Sequence, residues 1–368
     1  MPPGLFTPLE LRETVLPNRL MVSPMCQYSV EACDGVATDW HHVHLGSRAV
    51  GGAGLVVTEA TAVERRGRIS PQDLGIWSDE HAAALERTAE FVASRDAVPG
   101  IQLAHAGRKA SKTRPWEGSE PLGPDEGGWP VVAPSERPWP YEGEDGAPAT
   151  TRLTRDGIAR IVDAFRDAAE RARAAGFRVA EIHAAHGYLL HQFLSPVTND
   201  REDEYGGSFT NRTRLVREVT RAVREVWPAT DPLFVRISAT DWLPDRDAWT
   251  LDQSIRLVDR LAEDGIDLVD VSSGGIVPDA SPDWVGPNYQ LSLAEGIRDR
   301  RGTDVAVGTV GGITTAQQAE AILRNGRADL TVVGRKFLRD PYFGLHAARA
   351  LGQQDRDEPP VQYRRAFE

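Results

Sequence analysis

Phe177-Arg-Val-Ala-Glu-Ile-His183-Ala-Ala-His186-Gly-Tyr188 is a short apolar run that ends in two imidazoles and a phenol. The apolar run Phe177 to Ile182 is short, and Val179–Ile182 reads as a buried strand. The polar trio then stands where the strand gives way to a turn. Parallel-sheet enzymes place their chemistry at that carboxyl end. Two neutral imidazoles can donate hydrogen bonds to one oxygen, and a phenol can deliver a proton. Such a trio suits polarising a carbonyl and protonating a carbon.

Working outward, the same kind of run recurs at Leu20–Ser23, Leu55–Glu59, Gly100–Ala104, Leu233–Ile237, Leu268–Val271, Val305–Thr309 and Leu330–Gly334. Helical patterns lie between them. Asp156–Ala175 places Ile158, Ile161, Val162, Phe165 and Ala169 on one stripe and stops at Gly176. Leu251–Glu263 ends at Asp264-Gly265, and Thr314–Arg324 opens on threonines suited to capping. Strand and helix alternating eight times predict an α/β fold, a single (β/α)8 barrel over residues 1–368. The exception is Thr113–Thr151, rich in Pro, Gly, Trp and acids and without a helical period. It follows the third strand and is expected to be a lid or entrance loop, or else a plain surface insertion.

Composition narrows the function. The net charge is −12, which argues against nucleic acid as a partner. No stretch reaches membrane-spanning length, and the amino terminus shows no secretory pattern, so a soluble cytoplasmic protein is expected. Two cysteines, Cys26 and Cys33, exclude a Cys-rich metal or iron–sulfur site. Lysine occurs only at Lys109, Lys112 and Lys336, against 39 arginines; compositional bias is the expected cause.

Barrels of this kind commonly hold a phosphate beside the loops after the seventh and eighth strands. Those strands run into Gly311-Gly312 and Gly334-Arg335, where glycines admit the phosphate to backbone amides and Arg335 adds charge. His183 and His186 lack a metal motif such as His-Glu-x-x-His, and no metal is expected. The His41-His42-x-His44 cluster reads as helix surface and packing. Arg236, inside an apolar strand, must be paired internally or aimed at a ligand; Gln102 poses the same choice. Cys26, just past the first strand, is either a small buried hydrophobe or part of the site.

With Asn18-Arg19, Ser23-Pro24-Met25-Cys26, Gln102-Leu-Ala-His-Ala-Gly-Arg108-Lys109, His183-Ala-Ala-His-Gly-Tyr188, Asp203-Glu-Tyr-Gly-Gly207 and Gly334-Arg335, the chain resembles the old yellow enzymes, in their thermophilic-like branch. The resemblance implies noncovalent FMN. It implies Ser23, Pro24, Met25, Cys26, Ala60, Gln102 and Arg236 around the isoalloxazine, and Gly311, Gly312, Gly334 and Arg335 at the phosphate. Cys26 would tune the flavin and Tyr28 line the substrate pocket. His183 and His186 would bind the substrate's carbonyl oxygen, and Tyr188 would donate the proton. NADPH, or NADH, would supply hydride for an enone or enal in a ping-pong cycle. The relatives of the dienoyl-CoA reductase group carry an iron–sulfur cluster and a second domain, which two cysteines and this chain length do not accommodate. The tail 359–368 would send Arg365 into a neighbour's site, in a homodimer or a homotetramer built of dimers. The insertion is longer than this branch leads one to expect, and Arg365-Ala-Phe-Glu368 replaces the branch's Arg-Gly-Trp ending. Other readings are a flavin barrel dehydrogenase working oxidatively, a metal-dependent barrel hydrolase, and a barrel that only stores flavin.

Overall fold

The computed structural model describes residues 3–141, 148–356 and 358–366. Eight parallel strands close into a barrel: Leu20–Val22, Leu55–Ala62, Val98–Ala104, Val179–Ala184, Leu233–Ser238, Leu268–Ser272, Ala306–Val310 and Leu330–Val333. Each is followed by a helix on the outside: Asp39–Val50, Asp79–Ala93, Arg155–Ala174, Arg214–Val226, Leu251–Glu263, Leu291–Arg300, Ala316–Arg324 and Phe343–Ala350. The seventh strand starts one residue later than the sequence suggests. The second and fourth run further, so His183 lies within its strand rather than after it.

Local chemistry sets the helix starts. The Thr154 hydroxyl accepts from the Gly157 amide at 3.0 Å, and Thr315 accepts from Gln318; each fills one of the donors that a helix leaves unpaired at its first turn. Ile158, Ile161, Phe165 and Ala169 of the helix Arg155–Ala174 are fully buried against the strands. Gly176, at φ 91°, reverses the chain into the fourth strand.

Inside the barrel, period-two alternation stacks two different layers. Towards the amino ends, Met21, Leu55, Val57, Val179, Phe234, Leu268 and Leu330 form an apolar cluster with Leu9, Leu11 and Leu16. The last three belong to an antiparallel hairpin, Leu9–Leu11 with Thr14–Leu16, that plugs this end. Two residues further along the strands the interior turns polar, with Gln102, Glu181, Arg236 and Asp270 all buried.

Segment 113–151, which has no helical period, carries short elements of its own. Val131–Ala133 pairs in parallel with Thr150–Arg152, and the valines and Ala133 are buried. Two short 3-10 turns, Pro115–Glu117 and Pro124–Glu126, precede it. Residues 142–147 of this segment, like 367–368 of the tail, lie outside the described residues.

Candidate active site

The loop after the fourth strand is held tightly. His186 adopts φ 58° and Gly187 φ 70°. A side chain at Gly187 would meet the Gly275 carbonyl at 2.0 Å, so only glycine lets this loop approach the one after the sixth strand. The Gly187 amide donates to His191 Nδ1 at 2.9 Å, and His191 Nε2 is paired with Asp241, also at 2.9 Å. The left-handed backbone at His186 is thus over-determined by its surroundings, as strained residues at functional sites are.

This loop presents His183, His186 and Tyr188 together. The His183 ring lies edge-on to His186 at 5.0 Å and to Tyr188 at 5.1 Å between centroids. The Ala185 amide donates to His183 Nδ1 at 3.3 Å, which leaves the hydrogen on Nε2, 3.3 Å from His186 Nδ1. His186 Nε2 lies 2.7 Å from Ser272 Oγ. Burial, and then the Arg236 charge, push both imidazoles well below the ordinary histidine range. Both are therefore neutral at neutral pH, each able to donate one hydrogen bond and accept another.

Cys26, Tyr28 and Tyr188 meet beside them, packed on Ile69, Ala106, Ala110 and Val131. Burial drives the Cys26 thiol and the Tyr188 phenol well above their usual values, so both keep their hydrogens. Tyr28 shifts the same way for the same reason, and its backbone is also left-handed, at φ 51°. Lys109 closes this side. Its ammonium donates to the carbonyls of His186 (2.8 Å) and Gly275 (3.0 Å) and lies 5.2 Å from the Tyr188 ring centroid. Burial, with Lys112 and Arg108 nearby, lowers its pKa to about 7.

Beneath the histidines lies the polar barrel layer. Register sets Ala60 beside Gln102, Gln102 beside Glu181, and Arg236 between His183 and Asp270. The second strand reaches this register through an irregularity between Val57 and Ala60. Gln102 Nε2 donates to Glu181 Oε1 at 2.6 Å. Arg236 pairs with Asp270 at 3.2 Å and donates to Ser23 Oγ at 3.2 Å, so it is at once an internal ion pair and a link to the first strand. Glu181 is pushed up to about 8, by burial first and by Asp270 second.

A cavity of about 500 Å³ opens from this point. At one end it is lined by His186, Arg236 and Ser272. At the other are Gly311, Gly312, Gly334 and Arg335, together with Lys336 and Arg339. Gly311 and Gly312 have φ 121° and 67°, and a Cβ on Gly312 would reach the Gly286 carbonyl at 2.2 Å. Bare backbone ringed by cations can cradle a phosphate, and the other end, with His186, Arg236 and Ser272, offers polar groups to a ring system such as that of a flavin mononucleotide. Ser23, Met25 and Gly334 also adjoin: the Met25 sulfur and Ser23 Cβ lie 3.6 and 3.8 Å from where a Gly334 side chain would start. Pro24 continues the same loop.

Arg365 stands apart. It is exposed in a short turn, Arg364–Ala366. The tail leading to it shares a cavity with Asn18 and Gly52, at the opposite end of the barrel. The histidines of the first helix diverge: His41 meets Glu59 and Thr38, His42 meets Thr88, and His44 is buried with its pKa lowered by burial to about 3. Sequence reading missed Lys109, Ser272, Lys336 and Arg339. The scarcity of lysine was the available signal, because all three lysines lie at or beside this mouth.

Residues 4–354 match the model of the NADH:flavin oxidoreductase / NADH oxidase family. An NADPH dehydrogenase of Listeria monocytogenes serotype 4a is 47% identical over 363 residues, covering 99% of both chains. Morphinone reductase in complex with tetrahydroNAD superposes with a TM-score of 0.76 at 30% identity, over 95% of this chain and 91% of that one. An old yellow enzyme homologue from Zymomonas mobilis superposes at 0.75 with 26% identity, over 97% and 94%. The chain belongs to the NADH:flavin oxidoreductase / NADH oxidase family and is an FMN-dependent NAD(P)H oxidoreductase of the old yellow enzyme type.

Proposed function

We propose that the protein reduces the activated C=C bond of α,β-unsaturated carbonyl compounds, with NADPH as hydride donor and a ping-pong order of substrates. The observation that supports this most is the pair of neutral imidazoles, His183 and His186, set edge-on beside a protonated phenol. FMN held at this site would supply the hydride-transfer chemistry between nicotinamide and substrate carbon. The rest is work for the chain. His183 Nε2–H donates to a carbonyl oxygen seated between the rings. His186 Nδ1 faces His183 Nε2–H and accepts from it, which places the His186 hydrogen on Nε2, beside Ser272 Oγ, whose own hydrogen goes to Gln290 Oε1. A substrate carbonyl oxygen draws His186 Nε2–H as its second donor. Both donors strengthen as negative charge builds on that oxygen, which lowers the barrier. Tyr188 then gives its proton to the α-carbon.

Cys26 and Tyr28 bound the substrate's other edge. Gly311, Gly312, Gly334 and Arg335 hold the FMN phosphate, and Ser23, Pro24, Met25, Ala60, Gln102 and Arg236 border the ring system. Segment 113–151 forms the entrance. Trp139 lies 4.4 Å from the Lys109 ammonium, Trp116 stands edge-on to Tyr28 at 5.8 Å, and Arg108 ties the carbonyls of Arg137 and Pro138 to the mouth. Arg365 completes the site of a second copy. The test is anaerobic: NADPH should bleach the flavin absorbance, and 2-cyclohexenone should restore it with formation of cyclohexanone. Bleached protein that the enone leaves bleached overturns the proposal.

A further inference from the structure

Asp73 sits in the loop after the second strand and is 2% exposed. Its Oδ2 accepts from the Ile69 amide at 2.6 Å, while Oδ1 has no hydrogen-bond partner. A buried carboxyl oxygen left unsatisfied is costly unless the group is protonated or meets a water. Asp73 and Tyr188 line one small void, with Ala60, Ala62, Ala104 and Ala106 as its apolar walls. The void measures about 10 Å³, space for the centre of a single water. Nothing in the proposed reaction uses Asp73.

Tyr188 has a difficulty that Asp73 can remove. A phenol that gives up its proton in this apolar pocket becomes a buried phenolate, the form that burial most disfavours. We propose that Asp73 is the proton source behind Tyr188, handing a proton through one water in the shared void, with Lys112 as the link to solvent. This rests on the reading of Tyr188 as proton donor. The Tyr188 O–H bond breaks as the bond from hydrogen to the α-carbon forms. The water gives a proton to the phenol oxygen and takes one from Asp73, which is left as carboxylate. Lys112 is half-buried, interacts electrostatically with Asp73 and Cys26, and donates its amide to the Ile69 carbonyl at 3.1 Å. Its ammonium returns the proton to Asp73 and is recharged from water. Asp73 acts through the water and Tyr188; it is a positioning residue.

Burial is the main reason Asp73 is pushed up to about 8, and Glu59 raises it further while Arg68 lowers it. Around it also stand Cys26, Tyr28, Tyr188 and Lys112. The proton is therefore present at neutral pH and lost as pH rises through about 8.

The experiment mixes NADPH-reduced holoenzyme with 2-cyclohexenone anaerobically across pH 6 to about 9.5. The wild-type rate of flavin reoxidation should fall as pH rises through about 8. Asp73→Asn keeps an acceptor for the Ile69 amide; its low-pH rate should drop roughly tenfold, the lower part of what general acid catalysis supplies, and the break should vanish. Its flavin spectrum and NADPH reduction rate report on folding. A wild-type rate and break in Asp73→Asn overturn the relay, and a surviving break then belongs to Glu181, raised to about 8, or to Lys109, lowered to about 7. Tyr188→Phe separates the two ideas: if it is slow while Asp73→Asn is not, only the relay fails, and if it is fast, the donor assignment fails as well. In wild-type enzyme, a bowed dependence of the reoxidation rate on D2O fraction supports more than one proton moving together. A linear one rejects it.

Discussion

The two halves of the barrel interior are built from the same strands, two residues apart, yet they obey different rules. In the lower half Phe234, Val179 and Leu268 fill space against a hairpin plug, and their contribution is packing and area removed from water. In the upper half Arg236, Glu181 and Asp270 follow in the same register, on the same inward face. Nothing there is gained by burial, because each charge loses its hydration. The upper half persists because the Arg236 guanidinium pairs with Asp270 and acts at longer range on Glu181, which keeps a proton. Stability is concentrated at one end of the barrel and chemistry at the other, as a ligand-binding mouth requires.

The contrast can be broken from either side. Phe234→Ala, in the lower half, should have the largest effect: a loss of about 3–5 kcal/mol in urea unfolding, with half-reaction rates near wild type. If the enone rate falls with the stability, the halves are not separable. His183→Ala or His186→Ala should leave stability nearly unchanged, weaken phenol binding, and slow enone reduction on the order of 10²-fold, while NADPH still reduces the flavin at a measurable rate. Unchanged turnover in both removes the carbonyl assignment.

The carboxyls give a pH test. Glu181 is raised in the folded chain to about 8, well above the ordinary value near 4.3 of an unfolded chain. The folded state keeps a proton that the unfolded state releases. That contribution is full below the unfolded value and is lost as pH rises towards 8, at up to about 1.4 kcal/mol per pH unit. Glu181→Gln should flatten the fall in melting temperature between pH 6.5 and 8, leaving the part due to Asp73 and Asp270, which are raised too. A slope identical to wild type means that Glu181 is ionised throughout.

Removing residues 361–368 should raise the apparent KM for enones several-fold and loosen the dimer, with FMN retained. Unchanged kinetics and unchanged mass in solution dismiss the shared site. The smallest effect is expected from Cys26→Ala: a shifted flavin potential and altered substrate preference without unfolding, since the thiol is a weak donor and a polarizable neighbour. An identical potential reduces Cys26 to packing.

Much of this was legible in sequence. The barrel strands announce themselves as apolar runs because both faces are covered, and their bounds came within a few residues. His183, His186 and Tyr188 stood out because polar residues interrupt such a run at its functional end. Asp73 did not, since Pro71-Gln72-Asp73 looks like an ordinary turn. Only the fold brings it, from the loop after the second strand, to a tyrosine after the fourth. Ser272 and Arg339 were hidden likewise, each being an unremarkable residue until the closed sheet aligns it. The buried Val131–Ala133 pairing was missed because a three-residue strand is too short to show a period.

The placement of lysine has a practical corollary. Lys109, Lys112 and Lys336 are the whole complement of side-chain amines, and they cluster around the catalytic mouth. A reagent or resin that couples to amines can grip this protein only there or at its α-amino group. Burial lowers the pKa of Lys109 to about 7, so part of it is the free, nucleophilic amine near neutral pH. Amine coupling therefore amounts to affinity labelling without an affinity group, and a support meant to leave the enzyme open should be built to react with its carboxylates instead.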